Sequence, residues 1–454
     1  MPARLIESLA TTEPLADLFS DQSVLQAMLD FESALARAEA RAGVIPQSAA
    51  NVIRKLAKAE NFDIAHLAAA TLRAGTPGIP LAQALTEKVR TANADAAGYV
   101  HWGATSQDVA DTALILLLKR AQPVLSADIV RLTRALKKLS HEHKQTVMLG
   151  RTLMQPAPPI TFGLKAAGWL ASVQQNKENL DTAFSEALVL QFGGASGTLA
   201  SLGKKGTDVA RVLANELKLA CPEAPWHTQR QRLATLMCAC GILTGSLGKI
   251  ARDISLLMQA EIAEVAEQGG DGRGGSSTMP HKTNPIGCAL TLASAQRVPG
   301  LVASFLSGMV QEHERGVGGW QAEWPTAASI IQATGLAAAS MAEVAEGLSI
   351  NAASMRSNID ATQGVIFAER AAMLLGAKLE RDVARKILQD AAKKSTKQKR
   401  RLSEVLAKIP EVANHLDRNT LRNLEQPEEY LGSAEFFRKA LISPKSKTTK
   451  KKEQ

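Results

Sequence analysis

The chain has 454 residues, 45% hydrophobic, 21% charged and only 4% aromatic, and a formal charge of +9. That length buries a large core in two or three domains, and the four cysteines (Cys221, Cys238, Cys240, Cys288) lack zinc-ribbon or disulfide spacing and fit reduced, cytoplasmic thiols. Met1 to Glu7 holds no apolar signal stretch, and the longest unbroken apolar run, Ala113 to Leu118, falls far below the ~20 residues that cross a bilayer, so neither export nor membrane insertion is expected.

Apolar periodicity is overwhelmingly helical and predicts an all-α fold. An N-terminal helix is expected from Asp21 to Ala42, with Val24, Met28, Phe31 and Leu35 on one face and a stop at Gly43 before Pro46. Short helices broken by Pro46, Pro77 and Pro80 fill the rest of 1–110. A long seam follows at Leu125, Ile129, Leu132, Leu136 and Leu139. Strand signals are few, the clearest being Leu188 to Phe192 before Gly193-Gly194. The strongest helix is expected from Arg230 to about Glu267: Leu233, Leu236, Cys240, Leu243, Leu247, Ile250, Ile254 and Leu257 recur every three or four residues, ~37 Å of seam at 1.5 Å per residue. Within it, Gly241, Gly245 and Gly248 each cost up to ~1 kcal/mol, which close approach of a neighbouring helix would offset. A third seam runs through Ile330, Thr334, Ala337, Met341, Val344 and Leu348.

The predicted regions are 1–110, a central long-helix bundle at 111–362, shorter charged helices at 363–443, and a disordered basic tail at 444–454. Positive charge is local: six cations lie in 393–401 and five, with one acid, in the last ten residues, and the remainder carries −1. A solubilising tail is the favoured reading over nucleic-acid or other polyanion binding. Seams this wide predict association with further copies of the chain.

Four polar islands interrupt the Ala- and Leu-rich background. Five glycines in Gly269 to Gly275 precede two hydroxyls (Ser276, Ser277), Lys282 and Asn284. Such an arm suits closure over an anion; the alternatives are a plain surface loop or a phosphate loop, and the Gly-Lys-Ser/Thr of Walker A is absent. His101-Trp-Gly-Ala-Thr-Ser-Gln-Asp108 stands directly before a helix, where Thr105, Ser106 and free amides form a carboxylate-binding corner or simply cap the helix. Gly150-Arg-Thr-Leu-Met-Gln-Pro156 and Trp226-His-Thr-Gln-Arg230 complete the four, and Glu312-His-Glu-Arg315 adds another arginine able to grip carboxylates or form a rim salt bridge. His141-Glu-His143 lacks the zincin spacing, so no metal site is expected.

Taken together, Gly275-Ser-Ser-Thr-Met-Pro-His-Lys-Thr-Asn-Pro285, Thr105-Ser-Gln-Asp108 and Gly150-Arg-Thr152 resemble, in order and spacing, the three active-site segments of the fumarase/aspartase superfamily. His101 to Asp108, Gln191-Phe-Gly-Gly-Ala-Ser-Gly197, Pro225 to Arg230 and Gln311 to Arg315 are similar to its 3-carboxy-cis,cis-muconate cycloisomerase branch. The resemblance implies a three-domain helical protomer with a long central bundle, a homotetramer whose active sites draw on three subunits, and no cofactor. It implies closure of a tricarboxylate, 3-carboxy-cis,cis-muconate, to its lactone in aromatic catabolism. By position, Ser276, Lys282 and Asn284 would be catalytic. His101, Thr105, Ser106, Arg151, Thr152, Gln155, Arg230, Ser277, Met279 and Arg315 would bind substrate.

One departure is informative. Relatives that expel an amine or hydroxyl usually carry a histidine after the Arg-Thr pair, and some another three residues later; here stand Leu153 and Pro156. General acid–base help is worth about 10²–10⁴-fold, so an adenylosuccinate-type lyase would suffer without it. A cycloisomerase attacks with the substrate's own carboxylate, ionised at pH 7 without assistance. An adenylosuccinate-type lyase and a catalytically silent oligomer are the rival readings.

Overall fold

The structure is a computed structural model that describes residues 5–269, 274–275, 278–279 and 282–443. Two compact units make it up. The first comprises Met1–Val130, Gln175–Gly248 and Ala289–Met341; the second comprises Arg131–Gln174, Lys249–Cys288 and Ala342–Gln454. Their boundaries cut the five long helices, Ser106–Glu142, Phe162–Ala187, Gln231–Leu257, Ile286–Ser307 and Gly319–Gly347.

In the first unit the expected N-terminal helix is present as Asp21–Arg41, and Ser20 caps it by accepting from the Ser23 amide. Phe31, Leu35 and Met28 face the core, as their spacing requires, and Gly43 leaves the helix at φ 66°. All six residues of Ala113–Leu118 are buried, a pattern that puts apolar contacts around the whole circumference of the Ser106–Glu142 helix. The glycine argument holds at two of three positions. A Cβ on Gly248 would lie 2.6 Å from Ala295 Cβ, and one on Gly241 3.2 Å from Val302, so the Ile286–Ser307 helix approaches where the side chains are missing. Gly245 meets nothing within 4 Å.

Three of the long helices, Gln231–Leu257, Ile286–Ser307 and Gly319–Gly347, are long and apolar enough to cross a membrane by length and composition. Isolated polar residues and glycines break their apolar stretches into short runs, while the alanines and large apolar residues between keep the mean hydropathy high. Their apolar windows are 61%, 28% and 72% buried within the chain, so Ile286–Ser307 stands apart as the uncovered one.

The second unit is built around a hairpin that sequence periodicity misses, Val147–Thr152 paired antiparallel with Gln155–Thr161. Pro156, Pro158 and Pro159 disguise its second strand, since proline fits only an edge or bulge. Val147 and Leu149 join the core that the C-terminal helices form with Ile359, Phe367, Leu375, Leu402 and Leu421. The strand expected at Leu188 to Phe192 is instead one isolated bridge from Val189 to Ala220. The 444–454 tail lies outside the described residues.

The hairpin turn carries an expected stability gain. Thr152 pairs with Gln155, so Leu153 and Met154 form a two-residue turn, both at positive φ (50° and 65°) and both exposed. That is the geometry Asn-Gly prefers, while a left-handed conformation costs ordinary residues about 1–2 kcal/mol each. Leu153→Asn with Met154→Gly is expected to raise unfolding stability by about 1–2 kcal/mol in denaturant titration; an unchanged or lower midpoint would refute the strain.

A buried acid gives the second expectation. Glu39 is fully buried with neither carboxyl oxygen hydrogen-bonded among the described residues, and burial, then the charge of Glu32, pushes its pKa up to about 9. The folded state therefore holds a proton that the unfolded chain releases above its ordinary carboxyl pKa. Stability contributed by that proton is complete below about pH 4.5 and falls as pH rises towards 9. Glu39→Gln removes this dependence, with a gain on the order of 3 kcal/mol at pH 7. Denaturation midpoints of the two proteins should diverge between pH 5 and 9, and parallel curves would count against it.

Candidate active site

In the first unit the polar islands converge on one carboxylate. Thr105 stands at the N-cap of the Ser106–Glu142 helix, and Asp108, on its third residue, reaches back to accept from the Thr105 amide at 3.1 Å. Asp108 is fully buried and also accepts from the Gly193 and Gly194 amides (3.0 and 2.9 Å), Gln191 Nε2 (3.0 Å) and His227 Nε2 (2.8 Å). Cap and site are thus the same structure. Glycine is required at 193: a Cβ there would lie 2.6 Å from Pro225 and 2.8 Å from the His227 ring. Gln191 completes the joint by accepting from the Trp226 amide at 2.8 Å.

A second layer lies one helical turn on. Arg230 is 1% exposed and bonds Asp111 through Nη1 and Nη2 (2.7 and 3.0 Å) and Glu323 through Nε (3.0 Å) and Nη2. Its Nη1 also reaches the His227 carbonyl. Burial would strip the guanidinium of its proton, but the two carboxylates outweigh it and drive the pKa further up. Glu323, conversely, is raised by burial despite Arg230. Arg230 therefore does not present its guanidinium to substrate as expected, because its N–H groups already face acceptors. It binds the Trp226–Arg230 island to the Gly319–Gly347 helix.

Arg315 differs. Its Nε donates to Gln107 Oε1 (2.7 Å) and its Nη1 to Thr105 Oγ1 (2.8 Å), both neutral oxygens. Half-burial lowers its pKa against the pull of Asp108 and Asp111, and Nη2 makes no hydrogen bond among the described residues. Thr105, accepting from Arg315, keeps its own hydroxyl hydrogen to donate. Of the corner expected from Thr105, Ser106 and the helix amides, Thr105 meets Arg315, and Ser106 is half-buried beside it. His101 sits at φ 57° with Nδ1 on Glu32 Oε1 at 2.6 Å.

The remaining expected residues belong to the second unit. Arg151 makes a bidentate pair with buried Glu264 (3.0 and 2.7 Å), which also accepts from Asn358 Nδ2 at 2.8 Å. That pair fixes the guanidinium against the buried acid while the side chain stays partly exposed. Thr152 and Gln155, beside the turn, are exposed. On the loop, Lys282 and Met279 are exposed and Asn284 half-buried, with the Asn284 amide donating to the Gly274 carbonyl at 2.8 Å. Glu267 anchors the loop's far end by accepting from the Gly287 and Cys288 amides (3.0 and 2.9 Å). Ser276 and Ser277 lie outside the described residues. Among the described residues no group of three or more His, Cys, Asp or Glu side chains is arranged to hold a metal ion.

Sequence reading passed over Glu32, Gln107, Asp108, Asp111, His227, Glu264, Glu267 and Glu323 as functional. For Glu32, Asp108, Asp111 and Glu323 the available signal was an acid within an otherwise apolar helix stretch, where only a buried partner makes a charge tolerable.

Comparison with known proteins agrees over the full length. The sequence model of a family described as Lyase matches residues 8–300, and one described as Adenylosuccinate lyase C-terminus matches 364–440. The chain is 49% identical to a 3-carboxy-cis,cis-muconate cycloisomerase of Bradyrhizobium diazoefficiens over 91% of this chain and 92% of that protein. It is 44% identical to the enzyme of the same name from Pseudomonas aeruginosa, over 95% and 94% respectively. The crystal structure of 3-carboxy-cis,cis-muconate lactonizing enzyme from Pseudomonas putida superposes with a TM-score of 0.91 at 42% identity, covering 97% of this chain and 98% of that one. With a family model matching residues 8–300, relatives at 44–49% identity and a long-helix fold that superposes on a solved member almost end to end, the chain belongs to the lyase family of the fumarase/aspartase superfamily.

Proposed function

We propose that this protein is a 3-carboxy-cis,cis-muconate cycloisomerase, closing its tricarboxylate substrate to the carboxymuconolactone within protocatechuate catabolism by the β-ketoadipate route. The observation that carries the reading is Arg315, a half-buried cation with neutral partners and a free edge beside the Thr105 hydroxyl. A guanidinium held in that way receives a carboxylate bidentately. Lys282 supplies a second cation, and together they fold the diene so that a terminal carboxylate lies against the ring-closing carbon.

Attack of that carboxylate oxygen moves the alkene electrons into a neighbouring carboxyl group as an aci-carboxylate, stabilised by Lys282, Asn284 and loop amides. Ser276 is the catalytic hydroxyl, and it, or a group working through it, delivers the proton to carbon. Ser277, Met279, Thr152 and Gln155 line the substrate, with His101 and Ser106 on the Thr105 side. Leu153 at the hairpin tip speaks against amine release, which needs a general acid there.

The protein works as a cytoplasmic homotetramer without a cofactor. Supporting this, Thr152, Gln155, Lys282 and Met279 are exposed in the single chain, and the apolar Ile286–Ser307 helix is only 28% buried. Both features fit surfaces that other copies complete.

Incubation with 3-carboxy-cis,cis-muconate should consume the diene absorbance, with no turnover of adenylosuccinate or argininosuccinate; the reverse preference would refute the assignment. Ser276→Ala is expected to lower kcat by at least ~10²-fold with little change in KM. Near-normal turnover would remove the serine from the mechanism.

A further inference from the structure

The Asp21–Arg41 helix turns two acids into the core, Glu32 and Glu39, and the mechanism above uses neither. Glu32 Oε1 lies 2.6 Å from His101 Nδ1, across 69 residues of sequence. Because a carboxylate oxygen accepts, Nδ1 carries the hydrogen and the tautomer is fixed. Nε2 makes no hydrogen bond among the described residues, and the side chain is 20% exposed. A core histidine merely satisfied by its neighbours would bury both nitrogens. The backbone at His101 is held at φ 57°, a left-handed conformation unfavourable for a non-glycine residue that the surroundings must enforce. The residue also stands four positions before Thr105, on the segment that receives Arg315.

We propose that Glu32 and His101 form the acid–base dyad of ring closure, His101 supplying the proton to the intermediate and Glu32 acting as its positioning residue. The inference rests on the cycloisomerase reading and names a group that Leu153 and Pro156 cannot be. When the carboxylate oxygen has bonded to the ring-closing carbon, the electron pair stored in the aci-carboxylate forms the new carbon–hydrogen bond. The Nε2–H bond breaks, its pair stays on Nε2, and neutral imidazole remains with Nδ1–H on Glu32. A solvent proton restores the imidazolium. Passage across one intervening hydroxyl leaves this balance unchanged, and in the opposite direction neutral Nε2 takes the proton from carbon.

The charges around His101 suit the task. Burial alone would lower its pKa, but the charge and hydrogen bond of Glu32 and the charge of Asp108 outweigh it and leave it raised. Glu39, protonated at neutral pH, adds no second negative charge behind Glu32. The acid form is therefore present below the raised pKa, and activity in the ring-closing direction should fall as pH rises through it.

The test compares pH profiles of kcat and KM for the full chain with those of Glu32→Gln, Glu32→Asp and His101→Gln. Glu32→Gln keeps the shape and loses the charge, so the alkaline limb of kcat should move down by at least about one pH unit with KM changed less than about twofold. Glu32→Asp should restore part of the shift, and His101→Gln should lower kcat at least ~10²-fold. Histidine-labelled NMR gives a readout without turnover: His101 should titrate above 6.5 in the wild type and fall in Glu32→Gln. An unmoved alkaline limb in folded Glu32→Gln, or near-normal kcat in His101→Gln, overturns the dyad while leaving the cycloisomerase reading intact. A wild type inactive at every pH, with His101 titrating as expected, sinks that reading and the dyad's role with it. Should circular dichroism show Glu32→Gln unfolded, His101→Gln decides.

Discussion

A single buried carboxylate organises the first unit. Asp108 is fully excluded from solvent and accepts five hydrogen bonds, from Thr105, Gly193, Gly194, Gln191 and His227. An ionised carboxylate without partners in such a place would be driven to protonate, because burying a lone charge costs many kcal/mol. Five donors remove that penalty, and their geometry is demanding: each segment must arrive at a set distance and angle. Asp108 therefore works less as a source of net stability than as a constraint on how the 105, 191–194 and 227 segments meet. The two glycines suit this crowding: a Cβ at 193 would strike Pro225 and His227, and one at 194, where φ is 69°, would press on the Gly103 carbonyl.

The layer behind it repeats the logic with opposite charge. Arg230 is buried between Asp111 and Glu323, and Trp320 Nε1 and Gln107 Nε2 donate to the same Asp111 carboxylate. Gln107 then passes the arrangement forward, because its carbonyl oxygen accepts from Arg315. An ordered chain of polar contacts thus runs from the Gly319–Gly347 helix to the Arg315–Thr105 corner. Replacing its interior with apolar residues could preserve packing, but nothing would then hold the Arg315 fork at a fixed angle.

Much of this fold is legible in the sequence, for definite reasons. The Asp21–Arg41 helix is bounded by Ser20 and Gly43, and its apolar face repeats at helical spacing, so local chemistry and tertiary burial agree. The long seams are equally plain because apolar residues at threes and fours admit no other period. The 147–161 hairpin is hidden because its second strand holds three prolines and its turn holds Leu153-Met154, where turn residues would ordinarily mark it. The candidate site is half legible. Polar islands stand out against an alanine-rich background, whereas Glu32, Asp111, Glu264 and Glu323 look like ordinary exposed helix acids until burial is known. One-dimensional spacing records which face a residue occupies, and says nothing of which acid that face will meet.

The three arginines on the islands make that limit concrete. Arg151, Arg230 and Arg315 are equivalent in sequence, each a cation beside threonine, glutamine or glutamate, and each suited to gripping a carboxylate. Their partners separate them. Among the described residues Arg230 meets two buried carboxylates, Arg151 one, and Arg315 only an amide oxygen and a hydroxyl. A guanidinium already neutralised by buried acids has little field left for a ligand, and withdrawing it would strand a buried negative charge. One oriented by neutral oxygens is fixed in direction while no acid bonds it directly, which is the condition a substrate carboxylate can satisfy. Half-burial strengthens the effect, because the same charge acts through less water than it would on the surface. The number of acids touching an arginine, more than its place in a motif, thus separates Arg315, the cation the proposed function leaves for substrate, from the two held by buried acids.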